Sequence, residues 1–268
     1  MNRASKGTAV VTGASSGIGA IYAERLARRG YDLVLVGRSE ARLRQVKSRI
    51  AGSVDRQIRT VVADLNDKAD LQQVEALLRT DSGITLLVNN AGVGATAPLL
   101  ESRIDAMEEM IDLNVTALTR LTYAAAPAFA ARGGGTIVNI ASAVAIAPEI
   151  LNGVYGATKA FVLAFSLSLH KELAGRGLRI QAVLPGATAT SFWKSAGSSV
   201  ESLPGEMVMR AEDLVDAALA GLDQGELVTI PSLEHAADWS AYEAARQTLI
   251  PSLSLNAPAS RYRIPDAA

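Results

Sequence analysis

Thr8-Ala9-Val10-Val11-Thr12-Gly13-Ala14-Ser15-Ser16-Gly17-Ile18-Gly19 begins as a short apolar run of strand character and passes directly into an Ala- and Leu-bearing stretch of helical periodicity. The glycines therefore stand where a strand turns into a helix. Gly13 permits the tight turn, Gly17 lets backbone approach a pyrophosphate, and Gly19 allows the helix to pack close to the sheet. Backbone amides at the helix start, around Ser15, Ser16 and Ile18, then face the phosphates of a dinucleotide. The glycine spacing is GxxxGxG rather than GxGxxG.

Outward from this turn, apolar runs of strand length alternate with longer helical stretches, the pattern of βα units that build a parallel sheet. Strands are expected at Thr8–Thr12, Asp32–Val36, Arg59–Ala63, Leu86–Asn89, Thr136–Ile140, Ile180–Leu184 and Leu227–Ile230. Helices are expected at Ile18–Arg29, ended by a left-handed Gly30, and at Ser39–Ile50, capped by Ser39. A third runs from Tyr155 to about Leu173. Right-handed crossovers give an α/β, Rossmann-like, doubly wound sheet of about seven strands in the order 3-2-1-4-5-6-7, with ligands at the carboxyl ends of the strands. One domain, 1–268, is expected, with a core over 6–230. Residues 189–209, rich in Ser, Gly and Pro around Phe192 and Trp193, read as a lid. The tail, 231–268, has no clear strand pattern.

The chain of 268 residues is 49% apolar and 20% charged, a balance suited to a buried parallel sheet covered by helices. Its formal net charge of -1 argues against nucleic acid or an anionic membrane as partner. The absence of cysteine excludes disulfides, thiolate metal sites and a Cys nucleophile, and is compatible with a reducing cytoplasm. The two histidines, His170 and His235, lack ligand-like spacing, so no metal is expected. No apolar run reaches membrane length, and a cytoplasmic protein is expected.

Cofactor identity is written about twenty residues beyond the glycine turn, where an acid would hold the adenosine ribose hydroxyls of NAD. Here the second strand ends in Val36-Gly37-Arg38-Ser39. A forked, permanently charged guanidinium at Arg38 and a hydroxyl at Ser39 suit the extra phosphate of NADP(H), which is preferred to NAD(H). The alternative is an exposed turn arginine. Asp64, beside Leu65 after the third strand, is placed to accept from the adenine amino group or simply to cap a helix.

Tyr155-Gly156-Ala157-Thr158-Lys159 sets a phenol and an ammonium one helical turn apart on one face. A phenol works as an acid or base near neutral pH only when its anion is stabilised, and a neighbouring ammonium does this. Such a pair is common on amphipathic helices and gains meaning from its company: TGASSGIG, Asn89-Asn90-Ala91-Gly92, Asn114, Ser142, Tyr155xxxLys159 and Pro185-Gly186. In this order and approximate spacing the set resembles the short-chain dehydrogenase/reductase family over roughly residues 6–230.

The resemblance implies hydride transfer between a nicotinamide and a carbonyl or alcohol, in a homotetramer or homodimer. Tyr155 would be the acid in reduction and the base in oxidation, and Ser142 would hydrogen-bond the substrate oxygen. Lys159 would hold the nicotinamide ribose, and Asn114 would anchor a water linking Lys159 to solvent. Asn90, Ala91 and Gly92 would lie along the adenosine ribose. Pro185 and Gly186 would pass under the nicotinamide, with Thr188 and Thr190 near its carboxamide and phosphates. The mostly small or apolar residues over 143–150, with Phe192, Trp193, Leu203, Met207 and Met209, point to an apolar carbonyl substrate, although lid aromatics equally suit packing against the body of the protein or another subunit. The alternative from another class is a non-catalytic NADP(H)-binding regulatory or scaffold protein, whose mark would be loss of the tyrosine or lysine.

Overall fold

The computed structural model describes residues 5–262. In chain order its strands are β1 (Thr8–Thr12), β2 (Asp32–Gly37), β3 (Ile58–Val62), β4 (Ile84–Asn89), β5 (Gly135–Ile140), β6 (Leu178–Val183), β7 (Thr188–Ala189), β8 (Met209–Arg210) and β9 (Val228–Thr229). The helices are α1 (Gly17–Arg28), α2 (Glu40–Ala51), α3 (Lys68–Thr80), α4 (Ile104–Ile111), α5 (Leu118–Ala131), α6 (Gly153–Glu172), α7 (Phe192–Ser195), α8 (Ala211–Gln224) and α9 (Ala236–Leu249). Parallel pairing gives one seven-stranded sheet, β3-β2-β1-β4-β5-β6-β9. The expected order holds, with one refinement. The seventh position belongs to the ninth strand, because β7 and β8, too short to register as periodicity, pair with each other instead.

Alternation along β1 divides the core. Ala9 and Val11 point to the face that also buries Tyr22, Leu26, Leu43 and Leu214, on α1, α2 and α8. Val10 points to the opposite face with Leu71, Leu121, Phe129 and Leu169, on α3, α5 and α6. Central strands buried on both faces need continuous apolar runs, which β1, β2 and β4 supply. In the edge strand β3 only Ile58 is buried, the other residues being half-buried or exposed. Gly30, at φ 98°, takes the left-handed turn that ends α1, as its position predicts. Ser39 caps α2, its Oγ accepting from the Arg42 amide at 3.4 Å.

At the carboxyl edge a buried polar chain ties the central strands to their helices. Asn89 Nδ2 donates to Thr122 Oγ1 and to Asn139 Oδ1, and Asn139 Nδ2 donates to Ser166 Oγ. The 189–209 segment is pinched at its ends by the pairing of β7 with β8.

The chain divides into two compact units between Pro231 and Ser232. Taken by itself, the second contains α9, a helix with no buried residue, on which Trp239 and Tyr242 stack at 5.2 Å. The absence of a strand pattern in the tail agrees with a helix there. No helix among the described residues is long and apolar enough to cross a membrane.

Candidate active site

The glycine turn is built as its sequence requires. Gly13 and Gly17 adopt φ 64° and 52°, a region that side chains with a Cβ rarely enter. At Gly19 the demand is space: a Cβ would run into Gly13 O and Asn90 Nδ2. Thr12, which sequence reasoning did not single out, staples this turn to the Asn90-Ala91-Gly92 segment. Its Oγ1 accepts from the amides of Asn90 and Ala91, both at 3.0 Å. Asn90 Nδ2 returns the bond to Thr12 O at 2.9 Å. The signal was the β-branched polar residue at the last strand position before the turn.

A cavity of about 550 Å³ opens on the turn, lined by Ser15, Ser16, Gly17, Arg42, Thr190 and Ser191 among others. At the end of β2 the Arg38 guanidinium is exposed, with Nη1 3.9 Å from Asp64 Oδ2. Asp64 Oδ1 accepts from the Asn66 amide, while the neighbouring helix α3 is capped by Asp67 instead. The Asp64 carboxylate is therefore not a helix cap. Leu65 beside it is buried, and Ser15 lies against Gly37. A glycine cradle with open amides, faced by an arginine and hydroxyls, fits a dinucleotide bearing an extra phosphate.

Tyr155 lies in the first turn of α6, which Asn152 caps by accepting from the amides of Val154 and Tyr155. Asn152 Nδ2 also donates to Ala97 O and Ser102 Oγ, so this residue, absent from the sequence reading, fixes the helix start to the 97–102 loop. Burial pushes the Tyr155 phenol up to about 12, against the smaller opposing effect of the nearby Ser142 hydroxyl. Ser142, following β5, donates to Pro185 O at 3.3 Å and accepts from the Val144 amide. Lys159, one turn beyond Tyr155, is buried and donates to Ile140 O at 2.9 Å. Burial brings its ammonium down to about 8. The Lys159 Nζ stands 5.9 Å from the centre of the Tyr155 ring.

Asn114 sits in a single wide turn, Asp112–Ala117, between α4 and α5. Its carboxamide pairs with both backbone groups of Val93, at 3.0 and 2.9 Å, and donates to Thr158 Oγ1 at 3.1 Å. The side chain therefore clamps the loop after β4 against α6, with Gly92 packed close to both Asn114 and Lys159. Beyond β6, Pro185 O also receives the Ala143 amide, and Gly186 leaves open space where a side chain would stand. Thr188 O accepts from the Trp193 indole at 2.9 Å, and Thr190 faces Gly17. The two halves thus converge: the glycine turn, the Asn90–Gly92 segment, Ser142, Tyr155, Lys159 and Pro185–Thr190 all meet at the carboxyl edge of β1, β4, β5 and β6. Tyr155 itself belongs to an apolar cluster with Met107, Met110 and Val144, against which Val93, Leu151 and Phe192 pack.

Residues 7–201 match the model of the short chain dehydrogenase family. The chain is 31% identical to an uncharacterized oxidoreductase of Staphylococcus epidermidis over 86% of its own length and 96% of that protein. It is 35% identical to the very-long-chain 3-oxoacyl-CoA reductase of Anas platyrhynchos, over 76% of this chain and 66% of the relative. Among solved structures, a short-chain dehydrogenase from Sphingobium yanoikuyae in complex with NADPH superposes with a TM-score of 0.92 at 49% identity, covering 96% of this chain and all of the other. A bulky-bulky ketone specific alcohol dehydrogenase from Comamonas testosteroni superposes at 0.88 with 45% identity, over 96% and 98% of the two chains.

Proposed function

This chain belongs to the short chain dehydrogenase family and is an oxidoreductase of CH-OH and C=O groups, and from that premise we propose that it reduces bulky apolar ketones with NADPH, through Tyr155. The observation that carries the reading is the buried Tyr155 phenol, close to Ser142 and packed in a cluster with Met107, Met110 and Val144. Such surroundings favour a carbonyl with apolar substituents over a polyol or a charged acid. The Comamonas enzyme, by its name, takes ketones of that kind.

The cofactor is NADP(H), which the glycine turn, Arg38 and Ser39, and the Asn90–Gly92 segment would hold. Bound, it supplies the hydride. Tyr155 gives its proton to the carbonyl oxygen as charge develops there, and Ser142 donates a second hydrogen bond to that oxygen. The ammonium of Lys159, protonated at neutral pH, lowers the cost of the resulting phenolate. Asn114 acts by holding Val93 and Thr158 in place, which sets the loop beside Lys159. The net change is ketone plus NADPH plus a proton to alcohol plus NADP+.

An aromatic ladder across α5 and α6, exposed Tyr123 on half-buried Phe165 at 6.4 Å and Phe165 on exposed Phe161 at 5.6 Å, supports self-association through this face. Sedimentation of the purified chain tests it, a monomer at micromolar concentration counting against it.

The deciding experiment is ketone-dependent oxidation of NADPH and NADH over aliphatic, aromatic, steroidal and acyl-thioester ketones, with Tyr155→Phe as control. Turnover of apolar ketones that falls by roughly 10²–10⁴ in the variant, with NADPH affinity kept, is expected. Equal turnover in the variant would refute the role of Tyr155.

A further inference from the structure

We propose that Phe192, seated in a notch that exists because residue 94 is glycine, is a specificity-determining residue that favours ketones carrying a flat aromatic ring beside the carbonyl. The inference rests on the ketone-reductase reading above. Phe192 is the first residue of α7, and its ring centre lies 5.8 Å from that of Tyr155 at an angle of 44°. The carbonyl must reach the Tyr155 hydroxyl, and Phe192 is the aromatic ring packed against that tyrosine within its apolar cluster. The other walls of this cluster, Met107, Met110, Val144, Val93 and Leu151, are aliphatic.

Three contacts hold the ring where it is. Trp193, buried and donating its indole N–H to Thr188 O, meets Phe192 edge to face at 5.9 Å and 89°. The carbonyl of Ala196, just past α7, accepts from both the amide and the hydroxyl of Thr96, at 3.1 and 3.0 Å. Between these anchors the Phe192 ring lies on Gly94, where a Cβ would fall 2.9 and 3.2 Å from Cε2 and Cε1 and nearer still to Cζ. Gly94 has no left-handed backbone, so its want of a side chain serves the ring and not the turn. A fixed ring beside the reaction centre offers edge-to-face or offset contact to another aromatic ring, beyond what area burial gives an alicyclic group of equal size.

The test uses acetophenone and cyclohexyl methyl ketone with NADPH, on the full chain and on Phe192→Leu, Phe192→Ala, Gly94→Ala and the double variant Phe192→Ala/Gly94→Ala. The ratio of kcat/KM for the aryl over the alicyclic ketone is expected to fall roughly three- to tenfold in Phe192→Leu. Gly94→Ala should reproduce the fall, by displacing the ring without removing it, and the double variant should match Phe192→Ala. NADPH affinity, read by fluorescence, reports that each variant is folded. An unchanged ratio in Phe192→Leu, or losses that simply add in the double variant, would overturn the inference while leaving the ketone-reductase reading intact. Reduction of neither ketone by the unmodified chain, with NADPH bound, would overturn the inference, while the ketone-reductase reading falls only if the bulkier steroidal and acyl-thioester ketones are refused as well.

Discussion

At the residue scale, two charges at the candidate site, Arg38 and Lys159, differ in how they are held. Arg38 is exposed and reaches only a loose partner in Asp64 at 3.9 Å, so its guanidinium can turn toward a phosphate at little cost. Arg38→Ala is expected to weaken NADPH roughly 10- to 100-fold, as loss of a charge-assisted hydrogen bond should, and NADH less than twofold; fluorescence titration of both cofactors checks this. Lys159 is the opposite case, buried with a single carbonyl partner and brought down to about 8. Between that value and the ordinary lysine value of 10.5, the unfolded chain holds more protons than the folded one, so this residue's contribution to stability is poorest below pH 8 and improves as pH rises. Relative to Lys159→Met, the cofactor-free protein should gain stability from pH 8 to 10, with a slope of at most about 1.4 kcal/mol per pH unit, in urea titrations. The Tyr155 phenol, raised to about 12, acts in the reverse sense, but only above pH 10.

At the scale of elements, α6 brings Tyr155 and Lys159 to the sheet edge, and its first turn is fixed from outside. The Asn152 side chain caps two amides and binds two groups of the 97–102 loop, so one residue serves helix, loop and phenol together. Asn152→Ala is expected to cost about 1–2 kcal/mol of stability in denaturant and to lower kcat more than NADPH affinity, because the cofactor cradle hangs on β1 and β4 instead. An equal loss of NADPH affinity would show that the two halves of the site are coupled through this cap. The same division of labour appears in the Thr12 staple, which joins the ends of β1 and β4 without touching α6.

At the scale of the molecule, the carboxyl edge of the sheet is where folding and binding meet. The glycine turn opens on a cavity, and a ligand that binds only the folded chain stabilises it by mass action. NADPH at one hundred times its dissociation constant should add about 2.7 kcal/mol, or roughly 5–10 °C in the thermal midpoint. NADH at the same concentration should give a clearly smaller shift, and equal shifts in differential scanning fluorimetry would contradict the assignment of Arg38.

The sequence alone determined the sheet and the positions of the chemical groups, because both are written locally. Strand-length apolar runs, the glycines of 13–19, the arginine at 38 and the i, i+4 spacing of Tyr155 and Lys159 each depend on neighbours within a few residues. Tertiary structure decided what depends on residues distant in the chain. The Asn114 carboxamide is committed to Val93 and Thr158, Asn152 holds Ala97, and Phe192 finds its notch at Gly94 across almost a hundred residues of chain. Helix α9 escaped the reading as well, since a helix that buries nothing has no need of an apolar stripe. Burial, too, is a property of the assembled fold: the same lysine on an open helix would keep its ordinary proton affinity, and only its enclosure against the end of β5 brings it within reach of neutral pH.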